Sequence, residues 1–342
     1  MIVLDVWIDL TNAPHVHYFC QLIKKFEKEG IEYLLTFRDS KNLAKLVEIY
    51  NFVGKCIGKH GNTLKDKLIF YAERVIGLAE LISNIKPKVA IAKHSVELPR
   101  VAFGLNIPII FVVDNEHAEA QNKLTLPLAD EIIKPIATDE NKLRDFGGRN
   151  FINFDGTCEV ANVNSRLKGY YPIDNEILKK LGILNNNPTI VMRPCPNSSY
   201  CNGHKDILPK IIKELQKRID CNIVVFPRDE NQKEIYRELN VIVPKETIDA
   251  LSLLYNADFM IGAGGTMNRE SAILGVPTIS CYPQELLGVD KYLIEKNRMI
   301  HTNDIKEIIS YVEDNLGKKL GVIQLEDPTD LMLERVCNYL KK

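Results

Sequence analysis

The run Gly262-Ala263-Gly264-Gly265-Thr266-Met267-Asn268-Arg269-Glu270 carries the residue types best suited to chemistry in this chain. It lies between two apolar segments, 257–261 and 278–282, and closes on Gly275-Val276-Pro277, so it reads strand, glycine turn, short helix, strand. Gly264 and Gly265 let a ligand approach the backbone. The helix that follows offers unpaired N–H groups and the positive end of its dipole to an anion, with Thr266 and Asn268 in its first turn. One turn in stands Glu270, a carboxylate that repels phosphate and suits a sugar diol, on a face expected to be open. Diphosphate at the turn and ribose at Glu270 is what a nucleotide-sugar site requires.

Other polar groups follow apolar, strand-like segments. After a strand expected over 3–8 comes Asp9-Leu10-Thr11-Asn12-Ala13-Pro14-His15-Val16-His17. His15 is the first choice for a general base and Asp9 the next, with Asn12 and His17 beside them; helix capping by Asp9 or Asn12 is the plainer alternative. Strand 88–92 leads into Lys93-His94-Ser95-Val96-Glu97, and strand 107–113 into Asp114-Asn115-Glu116-His117, two carboxylates and an imidazole in four residues. Arg193 follows strand 189–192 and Arg228 follows strand 222–226; each guanidinium could grip a phosphate at two points. Gly58-Lys59-His60-Gly61-Asn62 reads as a mobile basic loop on the acceptor side. Cys195, Cys201 and His204 could bind a soft metal, but their spacing matches no common zinc pattern, and no metal is expected.

The elements that must position these groups alternate strand and helix along the whole chain, which means parallel sheets with crossover helices. At 342 residues the chain exceeds one ordinary core, so two domains are expected. The polar breaker Asn185-Asn186-Asn187-Pro188 marks the division: a first Rossmann-like domain over 1–160, a linker over 161–187, a second over 188–325, and a helix over 326–342 packing back on the first. The fold class is α/β, two doubly wound domains with ligands beyond the carboxyl ends of their strands and a cleft between them. A net charge of −1 gives no field for nucleic acid. No apolar run approaches the roughly 20 residues of a membrane span, which leaves only peripheral membrane contact open. The start of the chain lacks a secretory pattern, and the eight cysteines include no C-x-x-C pair, so a cytoplasmic protein is expected.

These residues resemble a known group. Trp7-Ile8-Asp9-Leu10-Thr11-Asn12-Ala13-Pro14-His15-Val16-His17 and Gly264-Gly265-Thr266-Met267-Asn268-Arg269-Glu270 are similar to the archaeal and bacterial DUF354 family of predicted glycosyltransferases, within the GT-B superfamily. The second segment is similar to the UDP-contacting turn of MurG-type N-acetylglucosaminyltransferases and of non-hydrolysing UDP-N-acetylglucosamine 2-epimerases, in which a glutamate matching Glu270 holds the ribose hydroxyls. His15 falls where the MurG-type first loop carries a histidine, although Thr11-Asn12-Ala13-Pro14 stands where that loop is glycine-rich. Asn122-Lys123-Leu124-Thr125-Leu126-Pro127-Leu128-Ala129-Asp130 looks like the epimerase stretch before its last N-domain strand. The resemblance implies a GT-B fold and a nucleotide-diphosphate sugar, UDP-linked, as substrate rather than cofactor. Gly264, Gly265, Thr266, Asn268 and Glu270 would hold it with Arg193 or Arg228. Transfer to an unidentified acceptor is the leading expectation, without a metal, with His15, Asp9 or Asp114 as base and Asn12, His17, His60 and His94 on the acceptor side. A UDP-sugar 2-epimerase using Asp114, Glu116 and His117 is the alternative enzyme, and a non-catalytic nucleotide-sugar-binding protein the alternative class.

Overall fold

The computed structural model describes residues 4–195, 205–246 and 248–341. Contacts divide the chain into two units, Met1–Ser165 with Leu325–Lys342, and Arg166–Gln324.

The first unit is built on seven strands: β1 (Val6–Leu10), β2 (Tyr33–Asp39), β3 (Gly54–Lys59), β4 (Val89–Lys93), β5 (Ile109–Val112), β6 (Glu131–Pro135) and β7 (Phe151–Phe154). They lie in the order β3-β2-β1-β4-β5-β6-β7, and every pairing is parallel. Central strands such as Val-Trp-Ile-Asp-Leu and Ile-Ile-Phe-Val are buried on both faces, as helices above and below a parallel sheet require. The chain runs outward from β1 to β3, then returns to lay β4 beside β1. That reversal opens a crevice at the carboxyl ends of β1 and β4.

Several boundaries differ from the sequence expectation. β1 begins later and ends later than 3–8, so Asp9 sits inside the strand, buried, rather than in the following loop. The helix Ala13–Glu29 starts before Val16, where the helical spacing of Phe19, Leu22, Ile23 and Phe26 places its start, and so takes in His15; Pro14 occupies its first turn, and Gly30 ends it at φ +70°. The segment expected as a mobile loop is partly strand: Gly58 and Lys59 belong to β3. Gly58 has φ +68°, and a Cβ there would lie 2.9 Å from the Arg74 side chain, so only glycine fits. β3, β6 and β7 lack a long apolar run and gave no strand signal. The helix Pro328–Leu340 belongs to this unit, tied by Gln21 Nε2 to Asp327 at 3.0 Å and by Arg335 Nε to Glu131 at 2.8 Å.

The second unit holds β8 (Thr189–Arg193), β9 (Asn222–Val225), β10 (Phe259–Gly262), β11 (Thr278–Ser280) and β12 (Ile300–His301). Their order is β12-β11-β10-β8-β9, again all parallel. Here the reversal falls between β8 and β10, where Gly262 sits in register with Arg193. Ile190, Met192, Phe259, Ile261 and Ile279 form the core with Ile211, Ile212 and Ile308 from the covering helices. The apolar run 241–243, whose residue types predict a short strand, forms one bridge, Ile242 to Val224.

Candidate functional site

In the second unit the expected glycine turn joins β10 to the helix Thr266–Leu274. Gly265 caps that helix and supplies no side-chain acceptor, so its first N–H groups keep their capacity for an anion. The glycine pair has a steric cause that the sequence did not reveal. A Cβ on Gly264 would stand 2.6 Å from Nη2 of Arg228, and one on Gly265 would stand 2.5 Å from Nη1 of Arg269. Each glycine thus makes room for a guanidinium packed on the turn. Arg269 is anchored to Asp290 at 2.8 Å, both buried, which fixes the helix start.

Arg193 and Arg228 are held differently. Arg193 Nη1 donates to the carbonyl of Phe226 at 2.8 Å, and Arg228 Nε donates to that of Pro194 at 2.9 Å. Neither makes an ion pair with a carboxylate among the described residues. Burial, and then the charge of Arg228, hold Arg193 down to about 9. Two guanidiniums and a helix N-terminus therefore converge on the β8/β10 switch point, their charge unanswered by a carboxylate among the described residues, a composition suited to a diphosphate.

The rest of the predicted nucleotide set divides. Gly264, Gly265 and Thr266 stay partly accessible. Asn268 is buried and turned inward: its Nδ2 donates to the carbonyl of Gly262 at 2.8 Å, fastening the helix to β10. Glu270, expected on an open face, is 5% exposed.

In the first unit Asp9 is the hub of a buried network. Its Oδ1 accepts from Arg74 Nη2 at 2.6 Å and Thr36 Oγ1 at 2.6 Å, and its Oδ2 accepts from Arg74 Nη1 at 3.0 Å and Ser95 Oγ at 2.6 Å. Arg74 also reaches Glu97 at 3.1 Å and donates Nε to the carbonyl of Ile57 at 2.8 Å. Burial opposes the charge on Arg74, but Asp9 and Glu97 together hold its pKa above the ordinary value. A carboxylate with four donors on it has no lone pair to spare, so the base role expected of Asp9 gives way to an anchoring one that ties β1 to β2, β4 and the helix Leu64–Ile85. Arg74 and Ser95 were not anticipated. The signal for Arg74 was a charge in the buried register of that helix, at i, i+4, i+8 with Leu78 and Ile82.

His15 is buried, and its Nδ1 accepts the backbone N–H of Thr11 at 3.3 Å. The ring proton of the neutral form therefore sits on Nε2, which makes His15 a donor toward a ligand rather than a base. Burial, then the charges of Lys93, His94 and Arg38, hold its pKa well below the usual imidazole value. His17 turns away to Tyr50, with Nδ1 2.6 Å from the phenol oxygen. His60 and Asn12 meet on Arg38, at 3.0 Å to Nη1 and 2.8 Å to Nη2.

Asp114, at the end of β5, gathers Lys93 Nζ at 2.6 Å and His94 Nε2 at 2.7 Å. His94 stands in the left-handed region, φ +54°, which is unfavourable for a non-glycine residue, and Gln121 Nε2 holds its carbonyl. Its Nδ1 is buried and has no hydrogen-bond partner among the described residues. The next turn, closed by Asn115 Oδ1 accepting from His117 N at 2.9 Å, carries buried Glu116 and half-buried His117.

Among the described residues no group of three or more His, Cys, Asp or Glu is placed to hold a metal ion. Cys195 is disulfide-bonded, so its thiolate is not a free ligand; Cys201 and His204 lie outside the described residues. No helix among the described residues is long and apolar enough to cross a membrane.

The sequence pattern of DUF354, a family of proteins of unknown function, matches residues 4–341. The chain belongs to the DUF354 family. This DUF354 protein is 92% identical over 341 residues to an uncharacterized protein of Methanocaldococcus jannaschii, covering 100% of both chains. Its fold is similar to that of the UDP-GlcNAc 2-epimerase of the same organism solved with UDP-GlcNAc and UDP, at TM-score 0.75 and 17% identity, covering 99% of each chain. It is also similar to a spinosyn rhamnosyltransferase complexed with spinosyn aglycone, at TM-score 0.57 and 11% identity, covering 99% of this chain and 96% of that one. The fold is GT-B, with two Rossmann-like, doubly wound domains.

Proposed function

We propose that this DUF354 protein is an enzyme of nucleotide-sugar chemistry that binds a UDP-linked sugar on its second unit and transfers the sugar to an acceptor. One observation carries the reading: Arg193 and Arg228 bring two guanidiniums, without carboxylate partners among the described residues, to the helix Thr266–Leu274, which no side chain caps, at the sheet's switch point. The structural neighbours support the same ligand class, since one was solved with UDP-GlcNAc and UDP.

In the reaction the bond between the sugar's anomeric carbon and the diphosphate oxygen breaks, and the acceptor oxygen bonds to that carbon. The departing UDP carries the charge, which Arg193, Arg228 and the helix dipole stabilise. The Glu270 carboxylate holds the ribose hydroxyls. The acceptor's proton goes to His94: its Nε2–H is committed to Asp114, which leaves the lone pair on Nδ1 to accept it. Asp114 positions the ring, and His15 offers its Nε2–H to the acceptor.

Calorimetry with UDP tests the site. One UDP per chain should bind, and the Arg193→Gln, Arg228→Gln double variant should lose it; equal binding by the variant would remove the site. Incubation with UDP-GlcNAc alone tests the reaction, because an epimerase converts it without an acceptor and a transferase does not.

A further inference from the structure

We infer that the first unit carries a second anion site, built by Arg38, His60, Asn12 and His15, and that the acceptor substrate bears a phosphate group. Naming the ligand as the acceptor rests on the transfer reading above; the site itself does not.

The site follows from counting donors and acceptors. Arg38 lies in β2, on the same sheet as β1, whose following residues include Asn12 and His15. A guanidinium has only N–H donors, so both atoms facing it must accept. His60 Nδ1, 3.0 Å from Arg38 Nη1, is therefore unprotonated, and the ring's proton sits on Nε2. Asn12 gives its Oδ1 to Arg38 Nη2 at 2.8 Å, which leaves its amide group, two N–H donors, for a ligand. His15 gives its Nδ1 to Thr11 N, so it too presents Nε2–H. Arg38 keeps further N–H groups, with Nε buried and without a hydrogen-bond partner among the described residues. Every polar function left over on these four residues is a donor.

Among the described residues no carboxylate is left free to answer them. The carboxylates whose charge acts on Arg38 are Glu97 and Asp9, and both are engaged by Arg74. Asp114, which acts on His15, is engaged by Lys93 and His94. Arg38 makes no ion pair among the described residues, so its hydrogen-bonded partners, Asn12 and His60, are neutral.

The arrangement is fixed in advance. Gly61 lies against the start of the helix Leu64–Ile85, where a Cβ would come within 2.3 Å of Lys67 N. Thr63 and Asp66 complete a capping box at that helix start, so the residues flanking His60 are held. Donors from four residues suit the several oxygens of a phosphate better than the two of a carboxylate.

The test is calorimetric titration of the full chain with inorganic phosphate while UDP is saturating, so that the second unit's guanidiniums are occupied. One phosphate per chain should bind, more tightly than acetate. Arg38→Gln should weaken phosphate about tenfold or more, Arg38→Lys by less because the charge remains, and UDP affinity should not change in either, with circular dichroism checking that both variants stay folded. His60→Gln should weaken phosphate independently of Arg38. Phosphate binding unaffected by Arg38→Gln, absent at millimolar phosphate, or seen only without UDP would overturn the inference, and acetate binding as tightly as phosphate would overturn its chemical class. If UDP fails to bind but phosphate binds through Arg38, the donor assignment falls and this site stands.

Discussion

Arg193→Gln should make the ligand-free protein more stable and a worse binder. Arg193 is half-buried, and its Nη1 donates to the carbonyls of Phe226 and Pro227. Burial, with Arg228 adding to it, holds the guanidinium at about 9, well below its ordinary value. A cation whose pKa falls on folding opposes folding at every pH below the folded value, and the penalty lifts only as pH rises above about 9 toward the guanidinium's ordinary value. At about 1.4 kcal/mol for each pKa unit, the penalty at neutral pH is on the order of a few kcal/mol. Glutamine removes the charge and still offers an amide N–H to the Phe226 carbonyl. The ligand-free variant should therefore melt several degrees above the parent. A bound diphosphate supplies the missing counter-charge, and a hydrogen bond involving a charged group contributes about 1.5–3 kcal/mol. UDP affinity should accordingly fall about 10- to 150-fold. Differential scanning calorimetry and isothermal titration on the same preparations read both effects. A variant that melts below the parent, or that binds UDP as tightly, would refute the picture of a guanidinium held ready for an anion.

Glu270→Gln, chosen because Glu270 is buried, should weaken UDP by about 1.5–3 kcal/mol while 2′-deoxy-UDP binding changes less. His94→Gln should cut turnover by roughly 10²–10⁴ and leave UDP affinity unchanged, and Asp114→Asn should lower turnover and shift its pH profile; full activity in His94→Gln would return the search for the base to Asp114. Asp9→Asn breaks a buried ion pair and should cost about 3–5 kcal/mol in a denaturant melt. His15, held neutral by burial, contributes stability that is full above its unfolded pKa of about 6.5 and is lost as the pH falls below it. The loss of stability from pH 7 to pH 5 should therefore be smaller in His15→Asn; an identical pH dependence would contradict the buried, neutral ring.

The architecture was legible wherever the sequence carried long apolar strands and well-marked helices. The 107–113 segment and the glycine turn declared themselves through an unbroken apolar run and through paired glycines between two such runs. The edge strand β3 did not, because Gly-Lys-Cys-Ile-Gly-Lys has little to bury, and what fixes it is the distant Arg74. Residue types also pointed to the right strand ends without revealing their roles. Asp9 and Asp114 look alike in sequence, yet one is saturated by Arg74 and the other orients a histidine. His15 looked like a base until a backbone N–H two bonds from the strand end fixed its proton. Arg38 sits near a strand end as Arg193 and Arg228 do, and the same reasoning applied to β2 would have found it.

The central claim is that the second unit binds UDP at the β8/β10 switch point. Titration of the unmodified protein with UDP, followed by calorimetry, tests it most directly. The account predicts one site per chain, binding that weakens as salt rises because charges meet, and loss of binding when Arg193 and Arg228 are both replaced by glutamine. No heat of binding from UDP or UDP-GlcNAc, or undiminished binding in the double variant, would contradict it.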